Sequence, residues 1–245
     1  MIQAPPELLR DLVWEAELGR VLNAFAAGGV EAILLKGAAY RGREYALGER
    51  RSRDADLLVK PGDFRKAQAA LSSLGYSVHL RGEAHATRPG PVPFDLDLHD
   101  RLYPDGDQGL WERAEPVTVG GGPARILKAS DAFAYALWHG AVRHVQVNDR
   151  LKEDLSRIAH RGGASFWEEV GTELDLRGLR TVAAEVLPEL GLKPRSLPEA
   201  WVLRWGLKRG PRGGTGHLLM ALTALDRWRG AGRLLRSAGR FLREN

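Results

Sequence analysis

Arg51 to Lys60, RSRDADLLVK, sets Asp54 and Asp56 two residues apart at the start of an apolar run. In an extended strand side chains repeat every second residue, so Asp54 and Asp56 share a face with Leu58 while Ala55 and Leu57 point the other way. Two carboxylates side by side repel, and the arrangement calls for either a cation or open solvent. The same alternation recurs in FDLDLH, where Asp95, Asp97 and His99 line one face and Leu96 and Leu98 the other. If the two strands are neighbours, up to four carboxylates and an imidazole converge. Such a cluster would have strongly raised pKa values unless a divalent cation neutralised it. With oxygen ligands and no cysteine in the chain, Mg²⁺ or Mn²⁺ is favoured over zinc, and Mg²⁺ usually recruits substrate phosphates to complete its octahedron. Upstream, Lys36 and Gly37 end the run VEAILLKG. At a strand-to-helix turn glycine lets the backbone approach an anion closely and lysine adds a point charge. The acids and the turn together predict phosphate chemistry.

The elements that must hold these residues follow from periodicity. Leu8, Leu9, Leu12, Val13, Ala16, Leu18, Val21, Leu22 and Phe25 recur at helical spacing from Pro6 to Ala27, and Gly28-Gly29 suits the helix end. VEAILL reads as a short buried strand, AAYRGREYAL as a short helix and DADLLV as a second strand. Pro61 opens a helix carrying Phe64, Ala67, Ala70, Leu71 and Leu74 and ending at Gly75. YSVHL and FDLDLH read as further strands, and VTVGGGPARIL as a hairpin closing a first domain, residues 1–128. From Ser130, a candidate N-cap followed by Asp131, every segment is helical in period, which predicts an all-helical domain over 129–245. KRGPRGGTG, residues 208–216, reads as a loop between helices. The fold class expected is α+β: a small mixed sheet with helices, then an all-helical C-terminal domain.

Composition bounds the function. At 44% hydrophobic and 27% charged the chain is neither disordered nor fibrous. The absence of cysteine excludes disulfides and thiolate metal sites. With acids at Glu7 and Asp11 and no long apolar run, neither a secretory leader nor a membrane span is expected, and the location expected is cytoplasmic. The net charge of +5 is uneven: from Trp201 onward ten Lys and Arg face two acids, a net of +8, leaving −3 elsewhere. That tail is either the solvated face of amphipathic helices or a contact for an anionic partner.

The blocks ILLKGAAYRGREYALGERRSRDADLLVKPGDFRKAQAALSSLGY, FDLDLHDRL, LWERAEPVTV, ILKASDAFAYALWHGAVRH and DRLKEDLSRIA, in this order from about Val30 to His160, resemble the uncharacterised nucleotidyltransferase family of the DNA polymerase β-like superfamily. The resemblance implies transfer of a nucleoside monophosphate from an NTP, ATP being the expected donor, to an acceptor that is a small molecule, a protein side chain or an RNA end. It implies two divalent metals, with Asp54 and Asp56 as the paired metal-binding carboxylates and Asp97 as the third, the one nearest the acceptor. Gly37 falls at the glycine opening the phosphate-facing helix. The superfamily usually has Gly-Ser or Gly-Gly there, and Gly37-Ala38 lacks that hydroxyl, which leaves more of the anchoring to Lys36. Arg51 matches a position where the family often has arginine, and Lys152 and Asp154 lie in a block where relatives place charged residues facing the nucleotide.

Other residues carry competing readings. Asp95 either joins the acids or meets solvent, and His99 either orients a carboxylate or contacts the base. Arg51 and Arg53 touch phosphates or pair with Glu49 or Glu44. His139 and Arg143 are one helical turn apart, whereas His139 and His144, five apart, do not form a chelating pair on an α-helix. The tryptophans, Trp138, Trp167, Trp201 and Trp205 among them, are read as core. Two alternatives to catalysis stand: a non-catalytic nucleotide-binding or scaffold protein, favoured by Ala38, and an RNA-binding module built on the basic C-terminus.

Overall fold

A computed structural model describes residues 6–50, 52, 54–80, 84–89, 94–103, 106–107, 109–193 and 197–209. Arg51, Arg53, most of the loop 208–216 and the basic helices expected beyond it lie outside the described residues. The chain divides into two compact units, Met1–Lys128 and Ala129–Asn245.

In the first unit helix α1 (Pro6–Ala27) ends where Gly29 takes φ +69°. It is followed by β1 (Ala32–Leu35), α2 (Lys36–Tyr40) and β2 (Asp54–Val59). A 3₁₀ turn, Pro61–Asp63, leads into α3 (Phe64–Ser73), then β3 (Ser77–Leu80), β4 (Ala84–Arg88) and β5 (Phe94–His99). Short α4 (Leu110–Arg113) and the hairpin β6 (Glu115–Val119) and β7 (Gly122–Ile126) complete it. Among the described residues the strands form one mixed sheet in the order β3-β4-β5-β2-β1-β7-β6. The pairs β2/β5 and β1/β7 are parallel and the rest antiparallel.

Alternation divides the sheet into two faces. Ala84, Ala86, Phe94, Leu96, Leu98, Ala55, Leu57 and Leu34 are buried on one of them. Trp14 of α1 meets Phe94 there at 5.2 Å, and Tyr76 meets the same ring edge-on. Each such Leu or Phe contributes about 1.5–3 kcal/mol by leaving water. At Gly19 a methyl group would overlap the backbone of Gly120, so the side-chain-free position lets α1 touch the β6–β7 turn. Glu17 ties α1 to the strands: its carboxylate accepts from Arg20, from Tyr76 and, through an ion pair at 2.7 Å, from Arg88 of β4.

Two elements differ from the sequence expectation. The helix expected over AAYRGREYAL stops at Tyr40, because Arg41 turns inward to pair with Asp11 at 2.7 Å and lies 4.1 Å from the Trp14 ring. Asp11 also accepts from the Gly48 amide at 2.7 Å, so α1 holds both ends of the segment after α2. Strand β4 was not expected from AHATR, which is poor in branched or aromatic residues. It forms because β3 and β5 satisfy its backbone on both sides.

In the second unit α5 (Ala129–Leu137) continues through a π-helical turn, Trp138–Arg143. Then come α6 (Asp149–Arg161), α7 (Phe166–Leu176), α8 (Arg180–Val186), a 3₁₀ turn (Pro188–Leu190) and α9 (Leu197–Arg209), so the described part is helical throughout. Asn148 caps α6 by accepting from the Leu151 amide at 2.9 Å. Because α5 begins at Ala129, Ser130 is not its N-cap; it lies inside the first turn, and its hydroxyl donates to Glu169. Trp138 is buried, but Trp167, Trp201 and Trp205 are exposed. Trp167 lies edge-on to Phe133 and Phe166 at the surface of the unit. Among the described residues no helix is long and apolar enough to cross a membrane.

Candidate active site

Parallel pairing of β2 with β5 sets Asp54 opposite Asp95 and Asp56 opposite Asp97. Because paired residues on neighbouring strands project to one face, all four carboxylates stand on the face opposite the apolar layer. Antiparallel pairing extends the row, with Leu35 of β1 beside Asp56 and His85 of β4 beside Asp97. Lys36, the residue after Leu35, thereby reaches the carboxylates from the strand-to-helix junction, and its backbone takes φ +46°. A left-handed lysine is unusual and costs free energy, a kind of strain that clusters at functional sites.

Asp56 is the centre of the cluster. Its Oδ1 accepts from Lys36 Nζ at 2.7 Å and from His99 Nε2 at 3.1 Å, and both Asp56 and His99 are buried. An ionised carboxylate only accepts, so His99 donates from Nε2. Burial alone would push the Asp56 carboxyl up; the His99 hydrogen bond and the charge of Lys36 outweigh it and hold the group well below the usual carboxylate range. Asp54, at the open end of β2, is shifted up, first by partial desolvation and then by the negative charges of Asp56 and Asp97. Asp97 accepts from His85 Nδ1 at 2.6 Å. One acid of the cluster is therefore stabilised as an anion while its neighbour resists ionisation.

Asp54, Asp56, Asp97, Lys36 and Gly37 thus come together, with Asp95 and His99 beside them. Among the described residues no three His, Asp or Glu side chains are arranged to hold a metal ion. Oδ1 of Asp56 is engaged by Lys36 and His99, and Oδ1 of Asp97 by His85. The donor set itself, carboxylates without sulfur, fits a hard divalent cation.

Lys152 and Asp154 lie two residues apart on α6 and so point to different sides. Asp154 is buried, whereas Lys152 lines a cavity of about 380 Å³ with Phe133, Leu155, Trp167 and Leu187. Arg51 is outside the described residues. His139 and His144, five apart, meet as a hydrogen-bonded pair, their Nε2 atoms 3.1 Å apart, because the π-helical turn brings residues five apart onto one side. His85 was not singled out from the sequence; the alternation of Ala84, His85, Ala86 and Thr87 was the available signal.

No curated protein matches the sequence. Among solved structures, an antigenic nucleotidyltransferase-like protein from Paracoccidioides brasiliensis is 13% identical with a TM-score of 0.50, over 73% of this chain and 91% of its own. The antibiotic-resistance factor ANT(2'')-Ia is 18% identical with a TM-score of 0.49, over 66% of this chain and 90% of its own. The lincosamide antibiotic adenylyltransferase LnuA, in a lincomycin-bound crystal structure, is 16% identical with a TM-score of 0.43, over 58% of this chain and 94% of its own. At these identities the likeness concerns fold alone, and the first of the three carries it. The model of the uncharacterised nucleotidyltransferase family matches residues 7–187, which is most of the chain, and the protein belongs to that family of nucleotidyltransferases.

Proposed function

We propose that the protein transfers a nucleoside monophosphate from a nucleoside triphosphate, ATP foremost, to a hydroxyl group of an acceptor, the acceptor oxygen bonding to the α-phosphorus as the bond to the β-phosphate breaks and pyrophosphate leaves. The observation that carries this reading is the register that sets Asp54 and Asp56 beside Asp95 and Asp97, with Lys36 at the adjoining turn. Asp54, Asp56 and Asp97 would hold Mg²⁺ or Mn²⁺, which when bound neutralises the phosphates and polarises the α-phosphoryl group. Lys36, on exchanging Asp56 for a phosphate oxygen, anchors the triphosphate as a point charge. Asp97 accepts the proton of the acceptor hydroxyl, and His85 holds its carboxylate in place through the 2.6 Å contact. His99 performs the same service for Asp56.

The test is incubation with α-labelled triphosphates and Mg²⁺ or Mn²⁺ against small-molecule, protein and RNA acceptors. Label appearing in an acceptor, and absent with Asp97→Asn, supports the reading. Nucleotide binding with no transfer to any acceptor under either metal would leave a binding protein instead.

A further inference from the structure

The cavity of about 380 Å³ in the helical unit is bounded by α5, α6, α7 and the 3₁₀ turn Pro188–Leu190. Its volume lies in the range that encloses a small molecule. Lys152, Leu155, Ser156, Ala159 and His160 line it from α6, and their spacing of three and four places them on one face of that helix. Phe133, Leu155 and Leu187 are buried and make its lining apolar. Trp167 is 51% exposed, yet its ring is fixed edge-on to Phe133 at 5.7 Å and to Phe166 at 4.8 Å. An indole oriented by two such contacts and half open to a cavity is a preformed platform for a further ring.

The charges on this cavity are of both signs. Lys152 lines it from α6 and Glu189 from the 3₁₀ turn. Among the described residues no hydrogen bond or ion pair engages the Lys152 ammonium or the Glu189 carboxylate. The two therefore stand farther apart than the ~4 Å of an ion pair, with room for a ligand to span the gap. His160 is turned along α6, its Nδ1 donating to the Ser156 carbonyl at 2.8 Å, which leaves Lys152 as the permanent cation of that wall. A ring stacked on Trp167 thus has an ammonium on one element and a carboxylate on another within the same cavity. A ligand bearing only an anion would leave Glu189 unmatched, and one bearing only a cation would leave Lys152 unmatched. The match is an aromatic zwitterion.

We propose that this cavity, formed by residues of the helical unit alone, binds an aromatic amino acid. The ligand carboxylate meets Lys152, its ammonium meets Glu189 and its ring lies on Trp167. The proposal goes beyond the nucleotidyl-transfer reading and does not depend on it.

Calorimetry on the full chain with L-tryptophan, indole-3-propionate and tryptamine tests it, because the two analogues each lack one of the charges. L-Tryptophan should bind about tenfold more tightly than either analogue, the usual worth of one hydrogen bond to a charged group. Lys152→Met should weaken L-tryptophan and indole-3-propionate about tenfold and spare tryptamine; Glu189→Gln should weaken L-tryptophan and tryptamine about tenfold and spare indole-3-propionate. Both side chains are exposed, so neither change threatens the fold. Trp167→Leu should weaken all three ligands, and Trp167→Phe, which keeps a ring against Phe133 and Phe166, should retain part of the affinity and serves if the leucine variant melts early. The inference is overturned if the wild type binds none of L-tryptophan, L-tyrosine and L-phenylalanine, or if Lys152→Met and Glu189→Gln bind L-tryptophan as the wild type does. Displacement of bound L-tryptophan by ATP would assign the cavity to the nucleotide and overturn it as well.

Discussion

Asp54 and Asp56, two residues apart on one strand, respond to folding in opposite directions, and the difference is testable. Asp54 is shifted up, so its folded pKa lies above the unfolded value near 3.9. Below that value the residue is protonated in both states and costs nothing; as pH rises through the folded pKa its charge destabilises the folded state. Asp54→Asn should therefore melt above the wild type at pH 7 without divalent metal, a gain that vanishes near pH 3, while transfer is lost. A melting temperature lowered at pH 7 would show the carboxylate to be structural. Asp97→Asn should slow transfer by about 10²–10⁴-fold, the range for losing a proton acceptor, and retain more nucleotide affinity than Asp54→Asn; steady-state rates together with calorimetry check both. Lys36→Met leaves buried Asp56 with His99 alone among the two partners seen here. It should cost about 1–3 kcal/mol in denaturant melts and abolish triphosphate binding. A variant of unchanged stability would mean that the ion pair is dispensable.

At the scale of elements, the site strands are held from behind by α1. Glu17 accepts from Arg20, Tyr76 and Arg88, and although burial alone would raise its pKa, these hydrogen bonds bring it down to about 2 from the ordinary 4.5. A lowered carboxylate pKa means stability that is fully present above the unfolded value and is lost as pH falls through the folded one. Glu17→Gln should thus destabilise by about 1–3 kcal/mol at pH 7, and the difference from wild type should fade between pH 4.5 and about 2. A pH-independent difference in urea melts would assign the loss to packing rather than charge. Most of these elements were legible in the sequence, because α1, α3 and β5 carry their periods in their own residues. Helix α2 was overestimated because the inward turn of Arg41 depends on Asp11, 30 positions earlier in the chain. Strand β4 was missed because its stability resides in its two neighbours.

For the whole molecule the governing quantity is charge. The acidic cluster repels a polyanion, so calorimetry should show triphosphate binding with Mg²⁺ or Mn²⁺ and little in chelator; equal affinity in both would remove the metal from the account. The net of +8 beyond Trp201 predicts, if it contacts RNA, an affinity that falls steeply with salt by counterion release; a gel-shift series at rising salt measures this, and the expected result is no shift even at low salt. Sequence alone determined the alternation in DADLLV and FDLDLH, the run that ends in Lys36-Gly37 and the change to helical period near residue 129, because side-chain direction within a strand or helix is set by local backbone geometry. Tertiary structure decided which strands are neighbours and in what register, so that Asp56 stands opposite Asp97. It also gave Asp56 partners 20 and 43 residues away and turned His139 onto His144 through a π-helical turn. These outcomes depend on pairing between distant segments, whose free energy is written in no single stretch of the chain.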